Sequence, residues 1–324
     1  MAIMQRWRGV DATPADWGRS VVTIGVFDGV HLGHRQIIER AVTDARERGL
    51  RSVVLTFDPH PAAVVRPGAH PPILTELDHK GDLLAELGVD GMCVVPFTHE
   101  FSQLAPDSFV HDVLVEHLHA AAVVVGENFR FGHKAAGDVT MLTELGKTFG
   151  FSVDAVPLAS RADGTETVYS STFVRSRVAA GDVATAAAAL GRPHRVSGLV
   201  VRGANRGGSQ LGFPTANLHH APDVAVPADA IYAGWLTRAV DGKPLPAAIS
   251  VGTNPTFAGR ERTVEAHIID FSGDLYGEAV SLDFVERLRE QRAYDAIEPL
   301  IAQITADVAE TAKILGLLGL DGPL

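Results

Sequence analysis

Cysteine is almost absent from this sequence, since Cys93 is the only one among 324 residues. A single cysteine cannot form an internal disulfide, and it argues against a structural zinc site built from cysteines. Cys93 stands within the apolar run GMCVVPF. We therefore expect it to be a buried strand residue rather than a reactive group.

The sequence also lacks long apolar runs and an excess of basic residues. Its apolar stretches, such as 120–125, are far shorter than the ~18 residues that predict a membrane span, and the first residues lack the apolar core of a secretory signal. We therefore expect a cytoplasmic protein outside the membrane. A net charge of −11 disfavours broad nucleic-acid binding. It still allows small anionic substrates, because loops and a metal can bind phosphate locally.

The length and the apolar pattern predict two domains, because the chain exceeds the ~100–200 residues of a typical one. In residues 20–190, β-branched runs alternate with amphipathic stretches, which indicates a parallel sheet covered by helices. After about Gly191, short strand-like runs between turns indicate an antiparallel barrel or sandwich. The predicted strands are 20–27, 51–57, 91–97, 121–126, 151–158, 195–201, 231–240, 247–252, 263–270 and 279–289, and the predicted helices are 35–49, 77–88, 107–120, 181–191 and 294–319.

A glycine-rich segment, Gly25–His34, joins the first predicted strand to the helix predicted from Arg35. Backbone N–H groups and the dipole at a helix N-terminus favour bound phosphate. His31 and His34 lie three residues apart, so in a first helical turn they share a face, where they could stabilise charge as pyrophosphate leaves. An isolated HxGH could equally be a turn with two surface histidines. The position directly after a strand favours function, and the element resembles the signature of nucleotidyltransferases related to class I aminoacyl-tRNA synthetases.

Two later segments add candidate ligands for phosphate. Residues 123–132 place Asn128 and two aromatic side chains just past a predicted strand, where a doubly wound sheet binds its ligands. Residues 170–175, SSTFVR, precede a helix and offer hydroxyls and a guanidinium suited to phosphate. On its own, SSTFVR could be a helix cap with Ser or Thr as the first residue. Combined with HLGH, its functional interpretation is the better one.

Together with TFDPHP at 56–61, these segments resemble the adenylyltransferase module of bacterial bifunctional riboflavin kinase/FAD synthetases. The resemblance implies a Rossmann-like nucleotidyltransferase domain, which we place at 1–187. The family often has a basic residue where this chain has Phe173, although Arg175 and Arg177 remain nearby. The resemblance implies contacts with ATP or the transferring phosphate for the catalytic residues His31, His34, Asn128 and Arg175 and for Ser171 and Thr172. We add Gly25, Phe27, Asp28 and Gly33 as ATP-binding residues, and Phe57 and Phe129 as flavin-binding residues.

A second glycine-rich segment occupies 203–218. Its glycines give a mobile loop that can bring backbone N–H groups close to phosphate, and we assign ATP binding to Gly203, Gly207 and Gly212. Thr215 and Asn217 lie two residues apart, so in an extended segment both side chains face the same way. A hydroxyl and an amide oxygen suit Mg²⁺. The alternative is an ordinary glycine-rich β-turn.

The whole string resembles the riboflavin kinase signature built around PTAN, and the resemblance covers nearly all of residues 191–292. We therefore predict an antiparallel β-barrel riboflavin kinase domain with a C-terminal helix at 188–324. The resemblance implies that Glu265 is the catalytic base, whereas strand alternation alone would make it a solvent-facing glutamate. Arg289 and Arg292 follow the strand ending at Phe284, in a segment that looks like the family's flavin-facing helix. We assign flavin binding to Arg289, with a solvated charged face as the alternative.

The predicted function is therefore a two-step synthesis of a flavin cofactor. Mg·ATP phosphorylates riboflavin to FMN in the second domain, and the FMN phosphate then attacks the α-phosphate of another ATP to give FAD and pyrophosphate in the first. One alternative is a monofunctional riboflavin kinase with a non-catalytic nucleotide-binding first domain. Another is a flavin- or nucleotide-sensing protein without turnover. The sequence leaves open whether the chain forms a homo-oligomer.

Overall fold

The computed structural model of the chain describes residues 3–157, 169–202, 213–256 and 259–317. The chain divides into two compact units, Met1–Ser171 and Thr172–Leu324. The domain boundary near residue 187 stays a prediction. Within the described ranges, no helix is both long and apolar enough to cross a membrane.

The first unit contains a parallel sheet covered by helices, as predicted. The strands are β1 (Gln5–Arg8), β2 (Ser20–Ile24), β3 (Arg51–Asp58), β4 (Gly91–Pro96), β5 (Ala120–Gly126) and β8 (Ser152–Val156), and a short hairpin is formed by β6 (Arg130–Phe131) and β7 (Gly137–Asp138). The helices are α1 (Leu32–Arg48), α2 (Pro61–Val65), α3 (Leu77–Glu86), α4 (Pro106–Ser108), which continues as a π-helix (Phe109–His117), and α5 (Val139–Phe149). Short 3-10 turns occupy Val10–Ala12, Phe101–Gln103 and His133–Ala135.

The strand order places the predicted nucleotide-binding segments at one edge of the sheet. All six strands are parallel, in the order β1-β4-β3-β2-β5-β8. The order reverses between β2 and β5, and doubly wound sheets bind ligands beyond the carboxyl ends of the strands at such a switch point. The segments after β2 and β5 are 25–34 and 127–131, which are the two that we predicted to carry HLGH and Asn128.

The central strands are apolar because helices cover both faces of the sheet. Every residue of β2 is buried, and Cys93 on β4 is fully buried, as expected. Burial raises the pKa of the Cys93 thiol to about 12, so the thiol stays protonated and unreactive at neutral pH.

The sequence analysis missed β1, α2, the hairpin of β6 and β7, and α5, and β1 and α5 illustrate two different reasons. Strand β1 has four residues, of which only Trp7 is buried, so it carries too little periodicity to be recognised. Helix α5 is bounded by ordinary signals: the Asp138 carboxylate accepts a hydrogen bond of 2.9 Å from the Met141 N–H, and Gly150 ends the helix in the left-handed conformation. Those caps are recognisable in a sequence.

The second unit contains a closed antiparallel barrel, which confirms the predicted barrel. Its strands are β9 (His194–Val201), β10 (Ala216–His219), β11 (Ala230–Arg238), β12 (Pro244–Thr256), β13 (Gly259–Ile268) and β14 (Ala279–Glu290), and the helices outside the barrel are α6 (Ser171–Ala179), α7 (Val183–Leu190) and α8 (Ile297–Ile314). The barrel closes in the order β10-β13-β12-β11-β14-β9. Helix α8 packs on β11, β12 and β14. Pro299 is tolerated because it lies in the first turn of α8, where backbone N–H groups lack intrahelical partners.

Strand alternation separates the barrel core from its outer face. Ala216 and Leu218 on β10 and Val264 and Ala266 on β13 are buried in the core. The residues between them therefore project outward. Asn217 and Glu265 are directly opposed in the ladder between these two strands, so their side chains share the outer face.

Candidate active sites

The glycine-rich segment of the first unit forms a strained turn between β2 and α1. Phe27 has φ of 47° and Val30 has φ of 41°, both in the left-handed region, and Gly29 lies between them with φ of 88°. A β-branched residue such as Val30 rarely adopts this conformation. Such strain costs about 1–3 kcal/mol per residue, and it persists only where the surrounding structure enforces it.

The carbonyl oxygen of Val26 accepts hydrogen bonds from two residues that are distant in sequence. It accepts a hydrogen bond of 3.1 Å from the Thr56 hydroxyl on β3 and one of 2.8 Å from the Lys80 ammonium on α3. Lys80 is only 5% exposed. Burial lowers its pKa, although Asp28 and Asp58 act in the opposite direction. The sequence analysis missed this lysine, which stands in an amphipathic helix pattern and gave no signal of its burial.

Asp28 fixes the middle of the turn. Its carboxylate is 2% exposed and accepts hydrogen bonds from the backbone N–H of Leu74, at 2.9 and 3.1 Å, and of Thr75, at 3.1 Å. The carbonyl oxygen of Asp28 accepts a hydrogen bond of 2.8 Å from the Ser171 hydroxyl. Asp28 and Ser171 thus hold the turn in its conformation, while their contacts with ATP stay predictions.

The two histidines of HLGH come together at the start of α1. His31 is the N-cap, and its Nδ1 accepts a hydrogen bond of 3.3 Å from the His34 N–H. An accepting Nδ1 leaves the proton of the neutral ring on Nε2, which is then a donor. The rings of His31 and His34 stack at 3.6 Å between centroids. A pair of imidazoles at a helix N-terminus is well suited to bind an anion.

Two glycines allow close packing around this pair. At Gly25 a Cβ would lie 2.9 to 3.1 Å from ring carbons of Phe27, and at Gly33 a Cβ would lie 3.2 Å from Cε1 of His31. The Phe27 ring in turn stands perpendicular to the His34 ring, with 5.2 Å between centroids. The ATP contacts of Gly25, Phe27 and Gly33 stay predictions.

Asn128 lies on the other side of the switch point, directly after β5. It is exposed, and its Oδ1 lies 3.3 Å from the position that a Cβ on Gly126 would occupy. That Cβ would also lie 3.3 Å from Ile37 of α1. Asn128 thus lies beside the strand end that neighbours α1, and its catalytic role stays a prediction.

The two predicted flavin-binding phenylalanines belong to one continuous aromatic chain. Phe129 stacks on Phe131 at 5.6 Å with an interplanar angle of 12°, and Phe57 contacts Phe97 at 5.5 Å and Phe101 at 6.1 Å. Phe109 joins the two halves, at 6.1 Å from Phe101 and 5.8 Å from Phe131. We call these residues the phenylalanine chain: Phe57, Phe97, Phe101, Phe109, Phe131 and Phe129. Sequence reasoning gave no flavin role to its four other members, although Phe97 ends the predicted strand 91–97 and Phe131 is one of the two aromatic side chains noted within 123–132.

The remaining predicted phosphate ligands, Thr172 and Arg175, lie on α6 in the second unit. Thr172 is exposed and Arg175 is half-buried. At the position where the family often has a basic residue, the Phe173 ring lies 5.5 Å from the guanidinium carbon of Arg177. This is a cation–π distance. The phosphate contacts of Thr172 and Arg175 stay predictions.

The barrel brings together Thr215, Asn217 and Glu265. The Thr215 hydroxyl donates a hydrogen bond of 3.3 Å to Oε2 of Glu265, and all three residues are half-buried. A second hydrogen bond joins the segment before β10 to β13, between Nδ1 of His267 and the Pro214 carbonyl oxygen at 2.9 Å. A hydroxyl, an amide oxygen and a carboxylate on one face are hard oxygen donors that suit Mg²⁺. Gly203, Gly207 and Gly212 lie outside the described residues.

Arg289 differs from its expected setting. The expectation of a flavin-facing helix after Phe284 was wrong: β14 continues to Glu290, in agreement with the predicted strand 279–289, because its ladder with β11 runs on to that residue. The guanidinium forms a bidentate ion pair with Asp307 of α8, at 2.8 and 2.7 Å. It also donates a hydrogen bond of 2.9 Å to the Glu290 carbonyl oxygen. Arg289 therefore anchors α8 to the barrel, and its flavin contact stays a prediction.

Replacing Asp307 with Ala should destabilise the barrel by about 3 kcal/mol, because it leaves a guanidinium without its partner in a site of low exposure. The Arg289 and Asp307 side chains are 16% and 8% exposed. Hydrogen exchange of the barrel strands, followed by mass spectrometry, measures the change. Glu310→Ala on the same helix removes an exposed pair with Lys313 and should change stability by less than about 0.5 kcal/mol. Equal exchange in the two variants would contradict the anchoring role.

Comparisons with known proteins cover both units. Residues 13–172 match the family model described as FAD synthetase, and residues 190–315 match the one described as riboflavin kinase. The chain is 35% identical over 297 residues to the bifunctional riboflavin kinase/FMN adenylyltransferase of Escherichia coli K12, covering 92% of this chain and 93% of that protein. It is 35% identical over 300 residues to the protein of the same name from Listeria monocytogenes, with 92% and 93% covered.

A solved structure shares the whole architecture. A crystal structure described as a macrolide-efflux protein from Streptococcus pneumoniae is similar to this chain with a TM-score of 0.85 and 30% sequence identity, covering 96% of this chain and 99% of that one. The similarity therefore extends over both units in the same order.

Proposed function

This chain belongs to the family of bifunctional riboflavin kinase/FMN adenylyltransferases, and on that premise we propose that it converts riboflavin to FAD in two ATP-dependent steps, at the two sites described above. The observation that carries the proposal is the presence in one chain of two different sets of groups. The stacked His31 and His34 suit phosphate charge, whereas Glu265 beside Thr215 and Asn217 suits proton transfer at a metal-bound phosphate.

In the kinase step, the terminal ribityl hydroxyl of riboflavin attacks the γ-phosphorus of ATP. The new bond joins that oxygen to phosphorus, the bond to the β-phosphate oxygen breaks, and ADP leaves. Glu265 accepts the hydroxyl proton as the oxygen becomes a nucleophile. The hydrogen bond from Thr215 to Oε2 orients the carboxylate, and the other oxygen remains the natural acceptor for the substrate proton.

Thr215 and Asn217 would hold a divalent cation at this site. The observed donor set fits, because a Thr215 hydroxyl that donates to Glu265 keeps its lone pairs for a metal, and Asn217 offers an amide oxygen on the same outer face. Mg²⁺ bound there would supply neutralisation of phosphate charge.

In the adenylyltransferase step, a phosphate oxygen of FMN attacks the α-phosphorus of ATP, and pyrophosphate leaves. The attacking phosphate is already an anion, so the step needs no base. Positioning and charge stabilisation then dominate the catalysis. We assign charge stabilisation to His31 and His34 at the start of α1, with Asn128 across the switch point as a further donor, and Ser171, Thr172 and Arg175 as additional phosphate ligands.

The phenylalanine chain provides the apolar surface for the isoalloxazine ring. Phe57 and Phe129 are its half-buried ends. Phe57 lies at the carboxyl end of β3, and Phe129 follows the carboxyl end of β5, in the sheet that carries HLGH. Aromatic rings stack favourably on a flat conjugated ligand. This assignment places the flavin of the second step in the first unit, close to the same sheet edge.

Incubation of the full chain with riboflavin, ATP and MgCl₂ should yield FMN first, then FAD with one pyrophosphate per FAD. Chromatography of the products with a pyrophosphate assay measures both steps, and an EDTA-treated sample is the control without metal, in which we expect no FMN. FMN without FAD would support the monofunctional alternative. No product with any divalent cation would support the binding protein without turnover.

A further inference from the structure

We propose that Lys80 is a positioning residue for adenylyl transfer, whose ammonium group holds the peptide between Val26 and Phe27 in the orientation that the nucleotide-binding turn requires. The proposal rests on the adenylyltransferase function proposed above. None of the sequence motifs includes Lys80, which is 54 residues away from Val26 along the chain.

The setting of Lys80 is costly for stability alone. Its side chain is buried, and its Nζ donates to the Val26 carbonyl oxygen at 2.8 Å. None of the ion pairs among the described residues includes Lys80, and the charges of Asp28 and Asp58 offset only part of the cost of its burial. Burying an ammonium costs more free energy than one hydrogen bond to a neutral carbonyl restores. A methionine of similar length would avoid that cost, so fold stability does not explain a lysine here.

The geometry of the peptide explains what the lysine achieves. The bond between Val26 and Phe27 is trans, since among the described residues the only cis bond is Asp58-Pro59. In a trans peptide the C=O and N–H groups point in opposite directions. Because Lys80 and Thr56 hold the carbonyl oxygen on one side, the Phe27 N–H points to the other.

This orientation reaches the catalytic pair through Phe27. The φ of Phe27, 47°, is the backbone rotation that follows this peptide, and the Phe27 ring packs against Gly25 and stands perpendicular to the ring of His34. Without these hydrogen bonds to the Val26 carbonyl oxygen, the peptide between Val26 and Phe27 could rotate, and Phe27 could leave the left-handed region. His34 would then lose the ring that packs against it.

Three variants test the proposal: Lys80→Met, Lys80→Arg and Thr56→Val. Lys80→Met should lower kcat/KM for ATP in FAD formation from supplied FMN by about 10- to 100-fold, the loss that a misplaced group causes. FMN formation by the same polypeptide should be unchanged. Lys80→Arg should retain more activity than Lys80→Met, because arginine keeps the charge and the donor although methionine fits the space better. Lys147→Met, at an exposed lysine paired with Glu144, is the matched control and should behave as wild type.

The double variant separates positioning from packing. Thr56 and Lys80 donate to the same oxygen, so the loss in Lys80→Met/Thr56→Val should be smaller than the product of the single losses, and Thr56→Ser should restore the activity lost in Thr56→Val. Wild-type kcat/KM in Lys80→Met would overturn the proposal. So would better activity in Lys80→Met than in Lys80→Arg, which indicates packing alone. If Lys80→Met does not fold, the Thr56 variants and Lys80→Arg decide. If the wild-type chain itself forms no FAD, the adenylyltransferase function fails, and this inference with it.

Discussion

Replacing Glu265 with Gln should lower kcat for FMN formation by about 10²- to 10⁴-fold, the usual contribution of a general base. Glutamine has nearly the same shape and can still accept the hydrogen bond from Thr215, but its amide cannot accept the substrate proton. KM for riboflavin should therefore change little. Steady-state FMN formation, measured by chromatography at saturating MgCl₂ and ATP, gives both parameters.

The Glu265 prediction has two internal controls. FAD formation from supplied FMN should stay at the wild-type rate, because that step belongs to the other site. Glu286→Gln changes an exposed glutamate on β14 of the same barrel and should leave both activities unchanged. A Glu265→Gln variant that keeps kcat within threefold of wild type would rule out Glu265 as the base.

The fold was predictable wherever one clear pattern of apolar residues covers a whole element. The apolar runs of β2 to β5 indicated buried parallel strands because helices cover both faces of this sheet. Strand β10 shows in the sequence only as an extended stretch containing PTAN. It has four residues, and its assignment depends on ladders with β9 and β13. These pairings are set by closure of the barrel, and no local pattern encodes them.

The candidate sites were likewise predictable from the sequence only in part. Thr215 and Asn217 were expected on one face because a spacing of two is enough in an extended segment. The turn at 25–34 was recognised from its glycines, but the strain at Val30 and the bonds from Thr56 and Lys80 were not. Those contacts join residues that are distant in sequence, and a lysine in an amphipathic helix normally indicates an exposed face. Long-range hydrogen bonds of this kind follow from the tertiary structure alone.

Replacing His31 should lower FAD formation by about 10²- to 10³-fold, the effect of removing one preorganised donor from a developing charge. FMN formation should persist, since the kinase site lies on the barrel. Rates of FAD and pyrophosphate formation from supplied FMN and ATP measure the effect. His31 also has a structural role as the N-cap of α1, so a loss in His31→Ala alone would not separate catalysis from folding.

His31→Asn resolves that ambiguity because asparagine is among the best N-cap residues. It retains an acceptor for the His34 N–H but lacks the imidazole. We expect His31→Asn to lose as much FAD formation as His31→Ala, while only His31→Ala loses about 1 kcal/mol of stability. His119→Asn is the matched control, since His119 is exposed and its φ of 47° is one that asparagine tolerates. FAD formation that survives in His31→Asn but fails in His31→Ala would show that His31 acts through the helix cap, and the charge-stabilising role would then pass to His34 and its neighbours.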